Sequence, residues 1–113
     1  MTLTFILKGQ VVPCSMYRYP STRFKRWRED VGKQMLKYHL PKPPLTDLCR
    51  LTMVFTHEDK RARDADNLQK AVQHILEHMH IIKNDKQIVQ WEGQVNLPPC
   101  KSLAGVTIKL ETL

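Results

Sequence analysis

Residues 2–8 alternate, with Leu3, Phe5 and Leu7 on one side and Thr2, Thr4 and Ile6 on the other, which predicts a strand rather than a signal h-region. Residues 9–19 contain Gly9, Pro13 and Ser15 and read as a loop. Pro20-Ser21-Thr22 can open a helix by hydroxyl capping, and Phe24, Trp27, Val31, Met35 and Tyr38 recur at helical spacing, so a helix is expected to about residue 38. Pro41-Lys42-Pro43-Pro44 stops it, since proline lacks the N–H and disfavours helix in the residue before it. Leu51, Met53 and Phe55 alternate with Arg50, Thr52 and Val54, predicting a second strand over 49–56. After a polar stretch over 57–65, Leu68, Val72, Ile75, Leu76 and Met79 form an apolar stripe that predicts a helix over 66–80, capped by Asp64 or Asp66. Residues 88–96 read as a third strand that Leu97-Pro98-Pro99 breaks, and Val106, Ile108 and Leu110 mark a fourth. The order β-α-β-α-β-β predicts an α/β (α+β) fold, a mixed sheet packed against helices, as one domain over 1–113.

Composition narrows the class. With 42% hydrophobic and 26% charged residues the chain is globular, and 113 residues leave little room for a large enclosed pocket. A substrate is therefore expected on the surface, which pairing of two copies would enlarge. The net charge of +7 is uneven: residues 1–50 hold ten Lys/Arg against Glu29, Asp30 and Asp47, while residues 51–113 are balanced. A polyanion is the natural partner for the basic half. Cys14, Cys49 and Cys100 show no CxxC or zinc-knuckle spacing and read as reduced thiols of a cytoplasmic protein. No apolar run approaches the roughly 20 residues of a membrane span, so no membrane partner is expected.

The chemistry concentrates in Asp59-Lys60-Arg61-Ala62-Arg63-Asp64-Ala65-Asp66-Asn67-Leu68-Gln69-Lys70. Asp64 and Asp66 are two apart, and on extended backbone both carboxylates would point to one side. Their repulsion would be relieved by a hard divalent cation such as Mg²⁺. Lys70 follows Asp66 by one helical turn and Asn67 precedes Lys70 by three residues, so both can project beside the pair. Carboxylates bracketed by cations suit a phosphodiester site: a metal on the phosphate, Lys70 stabilising developing charge, Lys60, Arg61 and Arg63 on flanking phosphates. The same acids could instead cap the helix among solvated charges. A third acid is needed; Asp85 would serve if the chain folds back along the sheet, and Glu77, Glu92 and Asp59 are weaker candidates.

Arg63-Asp64-Ala65-Asp66-Asn67-Leu68-Gln69-Lys70, followed at the right interval by Asn84-Asp85-Lys86-Gln87-Ile88-Val89, resembles the RusA family of Holliday-junction resolvases. The motifs match an R-D-x-D-N-x-x-K run, an amphipathic helix, and an acidic pair before x-Q-V. The resemblance implies a RusA-like mixed α/β fold and a homodimeric, Mg²⁺-dependent endonuclease, with Mn²⁺ a possible substitute. Its substrate would be four-way DNA, nicked symmetrically by in-line hydrolysis to 5′-phosphate and 3′-hydroxyl ends. It further implies that Asp64, Asp66 and Asp85 hold one or two metal ions and that Lys70 is the essential cation. Such proteins act in recombination and repair and are often encoded by phages or prophages. One position departs: Asn84 stands where the family commonly has a second acid.

In the basic half, Arg18, Arg23, Lys25 and Arg26 are expected to hold DNA arms beside Lys60, Arg61, Arg63 and Asn67, and Tyr17 and Tyr19 to touch bases, while Phe24 and Trp27 belong to the core. Two rival readings remain. His74-Ile75-Leu76-Glu77-His78 spells the H-x-x-E-H pattern of inverted zinc peptidases, though two half-buried or exposed helix histidines are the plainer reading. The other rival is a branched-DNA-binding module without catalysis. His57 and His80 are expected at the surface, and His39 at a helix end.

Overall fold

The computed structural model describes residues 1–14 and 21–113. Strand β1 (Thr2–Lys8) is followed by helix α1 (Thr22–Met35), β2 (Cys49–Thr56), α2 (Ala65–His78), β3 (Ile88–Asn96) and β4 (Gly105–Thr112), in the predicted order. The four strands make one sheet in the order β1-β4-β2-β3. β4 runs antiparallel to both β1 and β2, whereas β3 lies parallel to β2. The sheet is therefore mixed, as expected, and α2 is the crossover of a β-α-β unit.

Alternation decides which face is covered. Phe5 and Leu7 of β1, Leu51, Met53 and Phe55 of β2, and Val106, Ile108 and Leu110 of β4 all point into the one core. Phe24, Trp27, Val31 and Met35 of α1 and Leu68, Val72, Ile75 and Leu76 of α2 meet them there. The result is a two-layer sandwich with a polar outer sheet face. At its edge, a Cβ on Gly105 would collide with the Leu7 carbonyl, so that glycine permits the close passage of β4 beside β1.

The helix ends depart slightly from expectation. Ser21 caps α1 by accepting from the Phe24 N–H at 3.1 Å, but the helix stops at Met35. Tyr38 has another task. Its hydroxyl accepts from Ile6 N at 3.0 Å and donates to Ile6 O at 3.3 Å. Gln34 does the same for Lys8, its Oε1 accepting from the N–H at 2.7 Å and its Nε2 donating to the carbonyl at 2.8 Å. Helix α2 stops at His78 because His80 turns into the left-handed region, φ 57°. No helix among the described residues is long and apolar enough to cross a membrane.

Candidate active site

Asp64 stands at the N-terminus of α2 as its cap, its Oδ1 accepting from Asp66 N at 2.9 Å and from Asn67 N at 3.3 Å. Asp66 is already in the first helical turn. The two carboxylates are therefore associated by helix capping, not by the strand-like alternation that the spacing alone suggested. Both residues are exposed, and the positive end of the helix dipole lies beneath them. Lys70 and Asn67 follow on the same helix, both half-buried.

The loop leading into α2 is rigidly braced. Arg63 had been expected to reach DNA, but its side chain is only 8% exposed. Its Nη2 meets Asp59 Oδ1 at 2.9 Å, and its Nη1 donates to the Arg61 carbonyl at 2.9 Å and the Asp59 carbonyl at 3.4 Å. The Arg61 N–H first, and the Arg63 guanidinium after it, hold the Asp59 carboxyl below the usual carboxylate range. Asp59 is thus the counter-ion of Arg63. Lys60 and Arg61 remain exposed, as do Arg23, Lys25 and Arg26 on the outer side of α1. Phe24 and Trp27 are buried, as predicted. Arg18, Tyr17 and Tyr19 lie outside the described residues.

Two anchors went unrecognised in the sequence. Gln10 Oε1 accepts from Glu58 N at 2.7 Å, and Gln10 Nε2 lies 3.1 Å from His57 Nδ1. His57 is consequently buried rather than at the surface, and burial, then Arg63, lowers its pKa. Cys14 N donates to Asn67 O at 3.0 Å. The N-terminal loop is thereby fastened to the first turn of α2, next to the acids. Only long-range contacts reveal this; nothing in the local sequence signals it.

The second motif is also a clamp. Asn84 caps the 3-10 turn Asp85–Gln87, accepting from Lys86 N at 2.9 Å, while Gln87 Oε1 accepts from Asn84 N at 2.7 Å. The buried Gln87 amide then donates to the carbonyls of Leu45 at 2.7 Å and Asp47 at 3.0 Å. Asn84 therefore has a structural task that its uncharged amide performs well. Asp85 projects from this fixed turn and is exposed.

Topology separates the acids. Because β2 and β3 are parallel, Cys49 lies opposite Ile88 and Thr56 opposite Asn96. Asp64 and Asp66 follow the end of β2, while Asp85 precedes the start of β3. They stand at opposite ends of a crossover helix about 20 Å long. Among the described residues no group of three or more His, Cys, Asp or Glu is placed to hold a metal. A divalent ion bound by all three aspartates does not fit a single chain, and the fold-back that would join Asp85 to the pair does not occur within it.

The histidines of α2 form a separate strip. Arg28 Nη1 donates to His74 Nε2 at 3.3 Å, His74 packs edge-on against Phe24, and the His74 and His78 rings stack 5.7 Å apart. An arginine only donates, so His74 Nε2 is the unprotonated nitrogen. Burial, then Arg28, lowers the pKa of both rings. A zinc ion on His74 would face that guanidinium, so the H-x-x-E-H spelling here is a packed, basic helix face.

The chain matches the family described as endodeoxyribonuclease RusA over residues 10–111. No curated protein matches it. The matched span takes in both helices, the Arg63–Lys70 run, the Asn84–Gln87 clamp and β3. On this evidence the chain belongs to the RusA endodeoxyribonuclease family.

Proposed function

We propose that the protein is a structure-selective endodeoxyribonuclease that resolves four-way DNA junctions as a two-fold dimer, with Mg²⁺ as its cofactor. Family membership supplies the reaction class, hydrolysis of a DNA phosphodiester. The observation that carries the finer reading is the exposed acid pair at the N-terminus of α2, flanked by exposed Lys60 and Arg61 and followed one turn on by Lys70. A negatively charged backbone is drawn to these cations and to the helix N-terminus, while the acids are spared for chemistry at the phosphate.

In this reading Lys60 and Arg61 grip phosphates beside the cut, and Arg63 holds the loop that carries them. Lys70 steadies the charge that builds on the attacked phosphate. Asp64 orients the first turn of α2 and Asp66 through its cap. Since one chain keeps Asp85 a helix length from the pair, we assign the Mg²⁺ requirement to acids of two copies, Asp64 and Asp66 of one with Asp85 of the other. Two such sites related by a two-fold axis suit a substrate with the same symmetry.

The capping bonds of Asp64 favour a second reading, a DNA-binding module in which the acids serve only the helix. A labelled four-way junction incubated with the protein in Mg²⁺ or in EDTA separates the two. Paired nicks that require Mg²⁺ support the nuclease; a retarded complex with no nicking in either buffer supports the module.

A further inference from the structure

Helix α2 carries one row of polar side chains away from the acid pair. Asp66, Lys70, His74 and His78 follow one another at intervals of four residues, each about one turn further along the helix. From Asp66 to His78 the row is about 18 Å long. Helix α1 adds one residue to it. Arg28 Nη1 donates to His74 Nε2 at 3.3 Å, and the stacked His78 ring continues the row beyond that contact. Cys14 ties this arginine to the site. Burial pushes the Cys14 thiol pKa up, while the charges of Lys70 and then Arg28 pull against it, so both cations lie near one thiol. The backbone N–H of the same residue is bonded to the Asn67 carbonyl in the first turn of α2.

Arg28 is a half-buried cation without an anion. Ion pairs among the described residues join Arg63 to Asp59 and Lys109 to Glu111, and neither includes Arg28. Its bonded partner is a neutral ring nitrogen. Its Nε–H is buried and meets no acceptor among the described residues. Glu77 is exposed and acts on His74 less than Arg28 does. A guanidinium withdrawn from water with no counter-charge is costly, and an arriving anion relieves that cost. Arginine has five N–H donors in a planar fork suited to phosphate, and His74 takes one of them.

We propose that Arg28, oriented by His74, binds a backbone phosphate of the DNA strand to one side of the cut, along the α2 row that begins at the acids. This deepens the DNA-cutting reading above and rests on it for the identity of the anion. Lys70 stands at the attacked phosphate, and His74 brings Arg28 in about 12 Å from Asp66 along the helix axis. His74 is a positioning residue. Being neutral, it fixes the guanidinium through Nη1 without answering its charge, which an acid in its place would do. A contact of this kind sets where the strand lies rather than which bases it carries.

Binding to a labelled four-way junction in EDTA tests the assignment, with one phosphate at a time replaced by a neutral methylphosphonate. For the unaltered chain, one replacement flanking the cut should weaken binding by about tenfold. The same replacement should cost Arg28→Ala nothing further, because the contact is already gone. Arg28→Lys keeps the charge without the fork and should recover only part of the affinity. The position of His74 reads the contact even where Arg28→Ala fails to fold. His74→Asp supplies Arg28 with an internal counter-ion, so its melting temperature should hold or rise while junction affinity falls by about tenfold. The neutral His74→Gln should bind like the unaltered chain. Equal affinity in His74→Asp and His74→Gln would overturn the proposal, as would methylphosphonate losses of the same size in the unaltered chain and in Arg28→Ala. Gln73→Asp, one residue away, should lose far less than His74→Asp; an equal loss would be general repulsion and would refute the contact. Nicking in Mg²⁺ is scored separately. A chain that shows the Arg28-dependent phosphate but never nicks leaves the contact standing and sinks the nuclease. Nicking with no Arg28-dependent phosphate does the reverse.

Discussion

Asp64 Oδ1 accepts the backbone N–H of Asp66 at 2.9 Å, so the first acid fixes the residue that bears the second. On the proposed reading one carboxylate serves both structure and chemistry, and two substitutions pull the roles apart. Asp64→Asn keeps a capping oxygen without the charge; Asp64→Ala removes both. Asn should hold stability within about 0.5 kcal/mol and Ala should cost about 1 kcal/mol, and both should abolish cleavage. Denaturant unfolding and a junction-nicking assay report the two effects. Cleavage that survives in Asp64→Asn would reduce the residue to a cap.

Asp66 makes no cap, so Asp66→Asn isolates the charge. It should abolish nicking while junction affinity holds or rises, because one negative charge leaves the rim proposed to face DNA. Lys70→Ala should lower turnover by about 10²-fold or more with only a modest loss of affinity. Single-turnover cleavage and gel-shift titration measure these. Near-normal turnover in Lys70→Ala would remove that residue from the chemistry.

Neighbouring cations should behave differently. Arg63 is inward and bonded to its own loop, so Arg63→Ala should destabilise the fold by about 1–2 kcal/mol, the exposed Asp59 carboxylate accounting for little of it. Lys60→Ala should leave the melting curve unchanged, weaken junction binding and flatten its dependence on salt by about one counter-ion. Identical behaviour of the two variants would contradict this division of labour.

The Asn84 clamp invites replacement by an acid of the same shape. Asp is as good a cap as Asn, so Asn84→Asp should fold normally and shift the Mg²⁺ concentration needed for half-maximal cutting. Gln87→Ala should instead cost about 1–3 kcal/mol, since the carbonyls of Leu45 and Asp47 lose a buried donor. Thermal melts of both variants, with a Mg²⁺ titration of the first, check the pair of outcomes.

Stability should fall in mild acid. His57, His74 and His78 all have pKa values lowered on folding, burial being the first cause in each. The folded chain therefore binds fewer protons than the unfolded one as pH drops below about 6.5. The stabilisation is complete above that pH and is lost as pH falls through the depressed folded values. Melting temperature should hold above about pH 6.5 and decline as pH falls below it, and His74→Gln, which keeps an acceptor for Arg28 but does not titrate, should lessen the decline.

Elements whose signal is local were readable in the chain. The strands over 2–8 and 49–56 follow from alternation, and both helices follow from their apolar stripes and from capping signals, Ser21 for the first and Asp64 or Asp66 for the second, of which the fold uses Asp64. Helix ends were less so, because Tyr38 and His80 leave the helix for a sheet-edge contact and a left-handed turn. The candidate site residues can be listed from the sequence, but their geometry cannot. Whether Asp85 joins Asp64 and Asp66 depends on β3 lying parallel to β2, a fact about distant strands that no local pattern encodes. Arg63 and His57 misled for a related reason: their partners Asp59 and Gln10 can be identified only once the loops are folded.

The bonds from Tyr38 to Ile6 and from Gln34 to Lys8 bear on how the sheet meets other chains. They occupy backbone groups along β1 that would otherwise offer a template for a foreign strand. Two side chains far from the acids in this way guard one border of the sheet against aggregation.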